Sequence, residues 1–135
     1  MNGLQLDITE DAYALRLDGQ VLARLEGGAA VLLSGAGERL RELDIEAAIE
    51  RSEEWLMPFS RLLQGLELRV RDVTGRVRGM LGQQACFTVD KVEQAFADVL
   101  DAVAHGRFTR RAGVADVVLL RELAHHGRPS RILLI

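Results

Sequence analysis

Leu66-Glu67-Leu68-Arg69-Val70-Arg71-Asp72-Val73-Thr74-Gly75-Arg76-Val77-Arg78-Gly79-Met80-Leu81 is the stretch on which the reading of the fold turns. Leu66, Leu68 and Val70 alternate with charged neighbours, and Val77 and Leu81 do the same after a Thr74-Gly75 pair. Period-two alternation on both sides of a short turn predicts a β-hairpin, with strands over 66–72 and 76–81. In that register Val73 faces Arg76 and Arg71 faces Arg78, so Arg69, Arg71, Arg76 and Arg78 share one face of the ribbon. Like charges set opposite one another are destabilising unless something compensates them. The quartet is therefore expected to meet an anion or acidic partner, or to be neutralised by Glu67 and the glutamates of the preceding helix. Exposed ion pairs of the latter kind contribute at most about 1 kcal/mol each. A slip of one residue in register would disperse the quartet.

Upstream, Leu4, Leu6 and Ile8 alternate with polar residues, as do Tyr13, Leu15 and Leu17, and Asp18-Gly19 is a tight-turn pair before Val21 to Leu25. An N-terminal hairpin follows from this pattern. Gly27-Gly28 interrupts the chain before Ala29 to Leu33, read as a short apolar strand ending in Ser34-Gly35-Ala36-Gly37. Ile45, Ala48, Ile49, Ser52, Leu56, Phe59 and Leu63 recur at helical spacing, with Asp44 as the expected N-cap, a kink at Pro58 and a stop at Gly65.

Downstream, a second amphipathic helix begins at Asp90, with Glu93 in capping-box position, and carries Val92, Ala95, Phe96, Val99, Leu100 and Val103 on its core side. His105-Gly106 stops it. Val114 to His126 fits a third helix ending at Gly127, although Val117 to Leu120 fits a strand equally well. Arg131 to Ile135 reads as a closing strand. The expected class is α+β in a single domain over 1–135: a mostly antiparallel sheet with N-terminal and central hairpins, and two or three amphipathic helices packed on it.

Composition limits the function classes. The chain has 135 residues, 48% hydrophobic and 27% charged, which is ordinary for one globular domain. Aromatic residues make up only 4%, which disfavours binding by base or sugar stacking. The segment from Met1 to Glu10 has no basic leader or signal-length apolar run, and no apolar stretch is long enough to span a bilayer. One cysteine, Cys86, cannot close an intrachain disulfide and reads as a small apolar residue. The expectation is a cytoplasmic protein that does not engage a membrane. Net charge is −3 but uneven: residues 1–104 hold 11 basic and 18 acidic groups, and residues 105–135 hold 6 basic and 2 acidic. Overall acidity argues against a nucleic-acid partner, whose affinity rests on cationic contacts.

Two further clusters are candidates. Arg107-Phe108-Thr109-Arg110-Arg111 sets three arginines around an aromatic in the connection after the second helix, suited to a phosphate or an acidic partner, although solvated basic loops are common. Glu122, His125 and His126 lie within one helical turn, which is half of a carboxylate–histidine metal site, but the second half is missing. A simpler reading covers both His-Gly pairs, His105-Gly106 and His126-Gly127: histidine favours the end of the helix dipole and glycine the left-handed cap. No motif implies a cofactor; Gly35-Ala36-Gly37 lacks the companions of a phosphate-binding loop.

Two function classes remain. One is a non-catalytic interaction or assembly module with an arginine-rich contact surface (Arg69, Arg71, Arg76, Arg78, Arg107, Arg110, Arg111). Its expected partner is itself, as a homodimer covering the terminal strand, or another protein. The alternative is a small enzyme or ligand-binding domain with an arginine-lined pocket for an anionic metabolite, using Glu122 or a histidine as acid or base.

Overall fold

The computed structural model describes residues 3–107 and 109–135. Its sheet has six strands, β1 (Leu4–Ile8), β2 (Ala12–Leu17), β3 (Gln20–Glu26), β4 (Leu68–Asp72), β5 (Cys86–Phe87) and β6 (Ile132–Leu134), in the order β3-β2-β1-β4-β6-β5. The helices are α1 (Ala29–Leu32), α2 (Glu42–Leu56), α3 (Ser60–Leu63), α4 (Arg76–Leu81), α5 (Val89–Ala104) and α6 (Arg111–Gly127), with a 3-10 turn at Met57–Phe59. Among the described residues, no helix is long and apolar enough to cross a membrane.

The N-terminal hairpin forms as its sequence requires. Asp18 and Gly19 both have positive φ, 51° and 85°, the backbone that a tight two-residue turn between right-twisted strands needs. The Asp18 carboxylate accepts a hydrogen bond from the Gly3 N–H at 2.9 Å, tying the turn to the start of β1.

The central hairpin does not form. Residues 76–81 are helical, and β4 pairs in parallel with β1 on one side and β6 on the other. The sheet is therefore mixed, not mostly antiparallel. Asp72 is the cause: its carboxylate accepts hydrogen bonds from the N–H and hydroxyl of Thr74, at 2.9 and 2.5 Å, and from the N–H of Val77 at 2.8 Å. Those bonds satisfy donors at the start of a helix, with Gly75 at φ 78° making the bend. Val77 and Leu81 are four apart, so the same two apolar residues satisfy either period, and both are buried on α4.

Two other expectations change. Ala29 to Leu33 is not a strand: Ala29–Leu32 is the short helix α1, entered through Gly28 at φ 51°. The closing strand β6 is paired on both sides within the chain, by β4 and β5, so it does not need a second copy to cover it.

Elsewhere the helical periods hold. Pro58 falls in the 3-10 turn that separates α2 from α3. Asp44 is the third residue of α2, not its cap, and reaches back to accept from the Arg41 N–H at 2.8 Å. Thr88 caps α5, two residues before the expected start at Asp90, and its side chain accepts from the Lys91 N–H at 3.2 Å. The 114–126 segment is helix: in α6 every residue from Gly113 to Leu120 is buried, so its continuous apolar run reflects burial on all sides. α6 touches α1, α2, α3, α4 and α5 and is the centre of the helical layer.

Alternation gives the sheet two unlike faces. Leu4, Leu6, Ile8, Tyr13, Leu15, Leu68, Val70, Ile132 and Leu134 are buried in the core shared with the helices. Gln5, Asp7, Arg16, Arg69 and Arg71 occupy the intervening positions on the other face, which is charged and open to solvent. An open hollow of about 520 Å³ on that face is lined by strand and turn residues alone, Gln5, Arg16 and Arg69 among them.

Gly28 provides a test of this architecture. A Cβ there would lie 3.1 Å from the backbone N, Cα and C of Ala12, at positive φ, whereas one on Gly35 (φ 85°) would meet open space. Gly28→Ala should cost roughly 2–3 kcal/mol in urea denaturation and Gly35→Ala about 1 kcal/mol. Equal losses would contradict the close approach of α1 to β2.

Candidate functional site

β1 lies at the switch in strand order: its own connection leads through a hairpin to β2 on one side, and β4 lies parallel on the other. Crevices outside the carboxyl ends of parallel strands at such a point are where open α/β sheets bind ligands. Here the crevice is bounded by the β1–β2 turn, the Asp72–Arg76 loop, α1 and the first turn of α6. Two adjoining hollows of about 440 and 320 Å³ share Arg76 and Ala112 in their walls.

The floor of the crevice is an ion-pair network. Asp116 of α6 is fully buried. It receives two hydrogen bonds from Arg76, Nε to Oδ2 at 2.8 Å and Nη2 to Oδ1 at 3.1 Å, and a third from the Tyr13 hydroxyl at 2.6 Å. Arg76 also reaches the exposed Glu10 at 3.5 Å. Burial raises the Asp116 carboxyl above its ordinary 3.8, while the Arg76 and Tyr13 contacts pull the other way. Burial, followed by the charge of Asp116, pushes the Tyr13 phenol up, so it stays protonated and donates to Asp116. For Arg76, burial disfavours the guanidinium, but its bonds and attraction to Asp116 prevail and raise its pKa. The result is an anchored cation with one edge facing the crevice, its side chain 15% exposed.

The four arginines of the quoted stretch are not assembled on one ribbon. Arg69 and Arg71 stand on the open face of the sheet, Arg69 beside Glu67 at 3.6 Å and Arg71 exposed. Arg76 is in the crevice, and Arg78 lies exposed in α4. The second basic cluster is also divided. Arg107 pairs with Asp101, Arg111 donates to the Gly37 carbonyl, and Arg110 borders the crevice beside Gly113. Phe108 lies outside the described residues.

Glu122, His125 and His126 do not share a centre. Glu122 is buried and its pKa is raised, by burial first and then by the charge of Glu53. His125 instead meets Glu93 of α5, Nε2 to Oε1 at 2.5 Å, beside Arg121 stacked 4.1 Å from the Phe96 ring. Among the described residues, no three His, Cys, Asp or Glu side chains converge as metal ligands would. The His-Gly explanation holds for His105-Gly106, where Gly106 has φ 65°, but not for the second pair. Gly127 is the last helical residue, and Arg128 adopts the left-handed cap at φ 43°. Gly127 is small for another reason: a Cβ there would approach the Leu63 carbonyl oxygen to 3.0 Å. Cys86 is exposed on its short edge strand, not buried.

Asp116, Tyr13, Glu10 and Asp72 were not singled out by sequence. Asp116 had a signal: it is the lone acid in Val114-Ala115-Asp116-Val117-Val118-Leu119-Leu120, and an acid inside a buried apolar run must find a partner. Removing that partner is informative. Arg76→Leu should cost about 3–5 kcal/mol at neutral pH, because it leaves a buried carboxylate unpaired. It also removes the main group opposing the upward shift of Asp116. A raised acid destabilises the fold above its folded pKa and ceases to do so once protonated, so the deficit against wild type should shrink as pH falls toward about 4. Urea melts across pH measure this; a deficit independent of pH would contradict the assignment.

No protein-family description and no curated protein matches the sequence. Solved structures do match the fold. A Ppx/GppA phosphatase of Aquifex aeolicus, the type II variant, superposes with a TM-score of 0.68 at 10% identity, over 98% of this chain and 52% of that one. A further structure of an Aquifex aeolicus Ppx/GppA family member gives 0.67 at 9% identity, over 98% and 51%. A third, of the Aquifex aeolicus PPX-GPPA enzyme, gives 0.65 at 10%, over 99% and 53%. The chain thus spans about half the length of these solved chains. At such identity the likeness is one of fold: a mixed six-stranded sheet with its helices.

Proposed function

We propose that the chain is a non-catalytic interaction and assembly module whose partner is a second copy of itself. The observation that supports this most directly is the occupation of the two most enclosed acids at the crevice, Asp116 and Asp72. Asp116 is fully buried and bound three times over, and Asp72 is engaged by Thr74 and Val77. General acid–base work requires a group free to exchange a proton with substrate, and neither of these two carboxylates is free; Glu10, at the crevice wall, is exposed and meets only Arg76, at 3.5 Å. The open, arginine-bearing face of the sheet supports the second half of the reading. Parallel strands are ordinarily covered on both faces, and here β1 and β4 are covered on one.

Light scattering on the purified protein at tens of micromolar, beside hydrolysis assays on phosphate monoesters, pyrophosphate and polyphosphate, tests the proposal. Masses above the monomer and no turnover are expected; a strict monomer, or turnover lost on Arg76→Leu, would overturn it.

A second reading is favoured by one specific feature. α6 begins without a side-chain cap and without an acid in its first turn, and Arg110 and Arg111 stand at that end. Positive side chains at the positive end of a helix dipole are unfavourable, and an anion held between them and Arg76 would relieve the strain. In this reading the crevice binds a phosphate-bearing metabolite, in keeping with the phosphatase fold of the solved structures. Phosphate, pyrophosphate or nucleotides should then raise the melting temperature, and Arg110→Ala should abolish the effect. No shift with any of them leaves this reading without support.

A further inference from the structure

We infer that copies of this chain assemble head to tail, the outer stripe of α2 on one copy lying across the open face of the sheet on the next. The inference rests on the assembly reading and specifies its surfaces. On α2, Glu42, Glu46, Glu50 and Glu54 are all exposed at four-residue spacing, and among the described residues none is ion-paired. Like charges at that spacing destabilise a helix by about 0.2–0.5 kcal/mol per pair, a cost that a cationic partner removes. Two exposed apolar side chains adjoin the stripe, Leu43 (64%) in the first turn of α2 and Met57 (61%) in the 3-10 turn after it. Between them Glu46, Glu50 and Glu54 occupy a span of roughly 21 Å.

The open sheet face has the complementary pattern. Arg16, Arg24, Arg69, Arg71 and Arg131 stand there against four carboxylates, Asp7, Asp18, Glu26 and Glu67, a net +1 on a chain of net −3. Arg71 has no ion-pair partner among the described residues, and Arg24 meets only the exposed Glu26. Exposed apolar residues also stand on this face, Val21 (52%) on the edge strand β3 and Ile135 (55%) after β6, one strand in from the β5 edge. They are four strand spacings apart, roughly 19 Å. The Leu43-to-Met57 span therefore matches the Val21-to-Ile135 span across five of the six strands, with charge opposite charge and apolar residues opposite apolar residues. Because the two surfaces differ, the contact is heterologous and grows into chains instead of closing as a two-fold dimer.

Two charge reversals separate the surfaces. Arg24→Glu/Arg71→Glu changes the sheet face, and Glu46→Lys/Glu50→Lys changes the helix. The second creates favourable spacing with Glu42 and Glu54, so loss of assembly in it cannot be ascribed to unfolding; circular dichroism melts check both. Sedimentation velocity should show wild type growing with concentration, and each variant alone weakened by at least roughly tenfold. An equimolar mixture of the two should recover assembly, since the unchanged helix of one variant meets the unchanged sheet face of the other and the two reversed surfaces are again opposite in charge. Wild type that assembles while the variants assemble equally well, or variants whose mixture stays monomeric, overturns the inference and leaves the assembly reading standing. Wild type that remains monomeric overturns both.

Discussion

Everything in the crevice depends on neutralising one buried charge. Asp116 lies on a helix enclosed by five others, at a depth where a carboxylate without partners would cost several kcal/mol. Its three hydrogen bonds come from two elements distant in sequence, Tyr13 on β2 and Arg76 on α4. One interaction thus fixes α4 against α6 and both against the sheet, at the end of the sheet where the chain changes direction. The same interaction determines chemistry. In the proposed reading an acid held by a bidentate guanidinium and a phenol serves the structure, and the guanidinium it holds is a fixed cation on the floor of the crevice.

The likeness to the Aquifex aeolicus structures concerns how the strands are ordered, not which residues stand at their ends. Nine or ten percent identity leaves room for the same sheet to carry different chemistry. Fold and site overlap only in part, because the sheet is held by apolar alternation on one face and by helix α6, which share with the crevice Tyr13, Asp116 and the first turn of α6. The charged face of the sheet is likewise free to vary without affecting the core.

Much of the architecture was legible from periodicity. The Asp18-Gly19 turn, the core stripes of α2 and α5, the interruption at Pro58 and the closing strand all follow from local rules that tertiary packing did not override. The central hairpin failed because Val77 and Leu81 fit two periods at once, and the choice was made by Asp72, whose carboxylate offers donors at 74 and 77 a helical start. The segment 29–32 failed for lack of length: four apolar residues carry no period. The site was less legible than the fold. Arg76 was named, but on the wrong grounds, as one of a surface quartet; its partner Asp116 is 40 residues away in sequence. Only the isolation of that acid in an apolar run hinted at it.

The claim that the crevice acid is structural is tested most directly by a double-mutant cycle on Arg76 and Asp116, each replaced by Leu, singly and together, in urea denaturation. The account predicts a coupling of about 2 kcal/mol or more, with the doubly apolar variant more stable than Arg76→Leu, because removing both partners strands no charge. Additive losses would mean that the two groups stand independently, and that Asp116 is buried for some purpose other than holding Arg76.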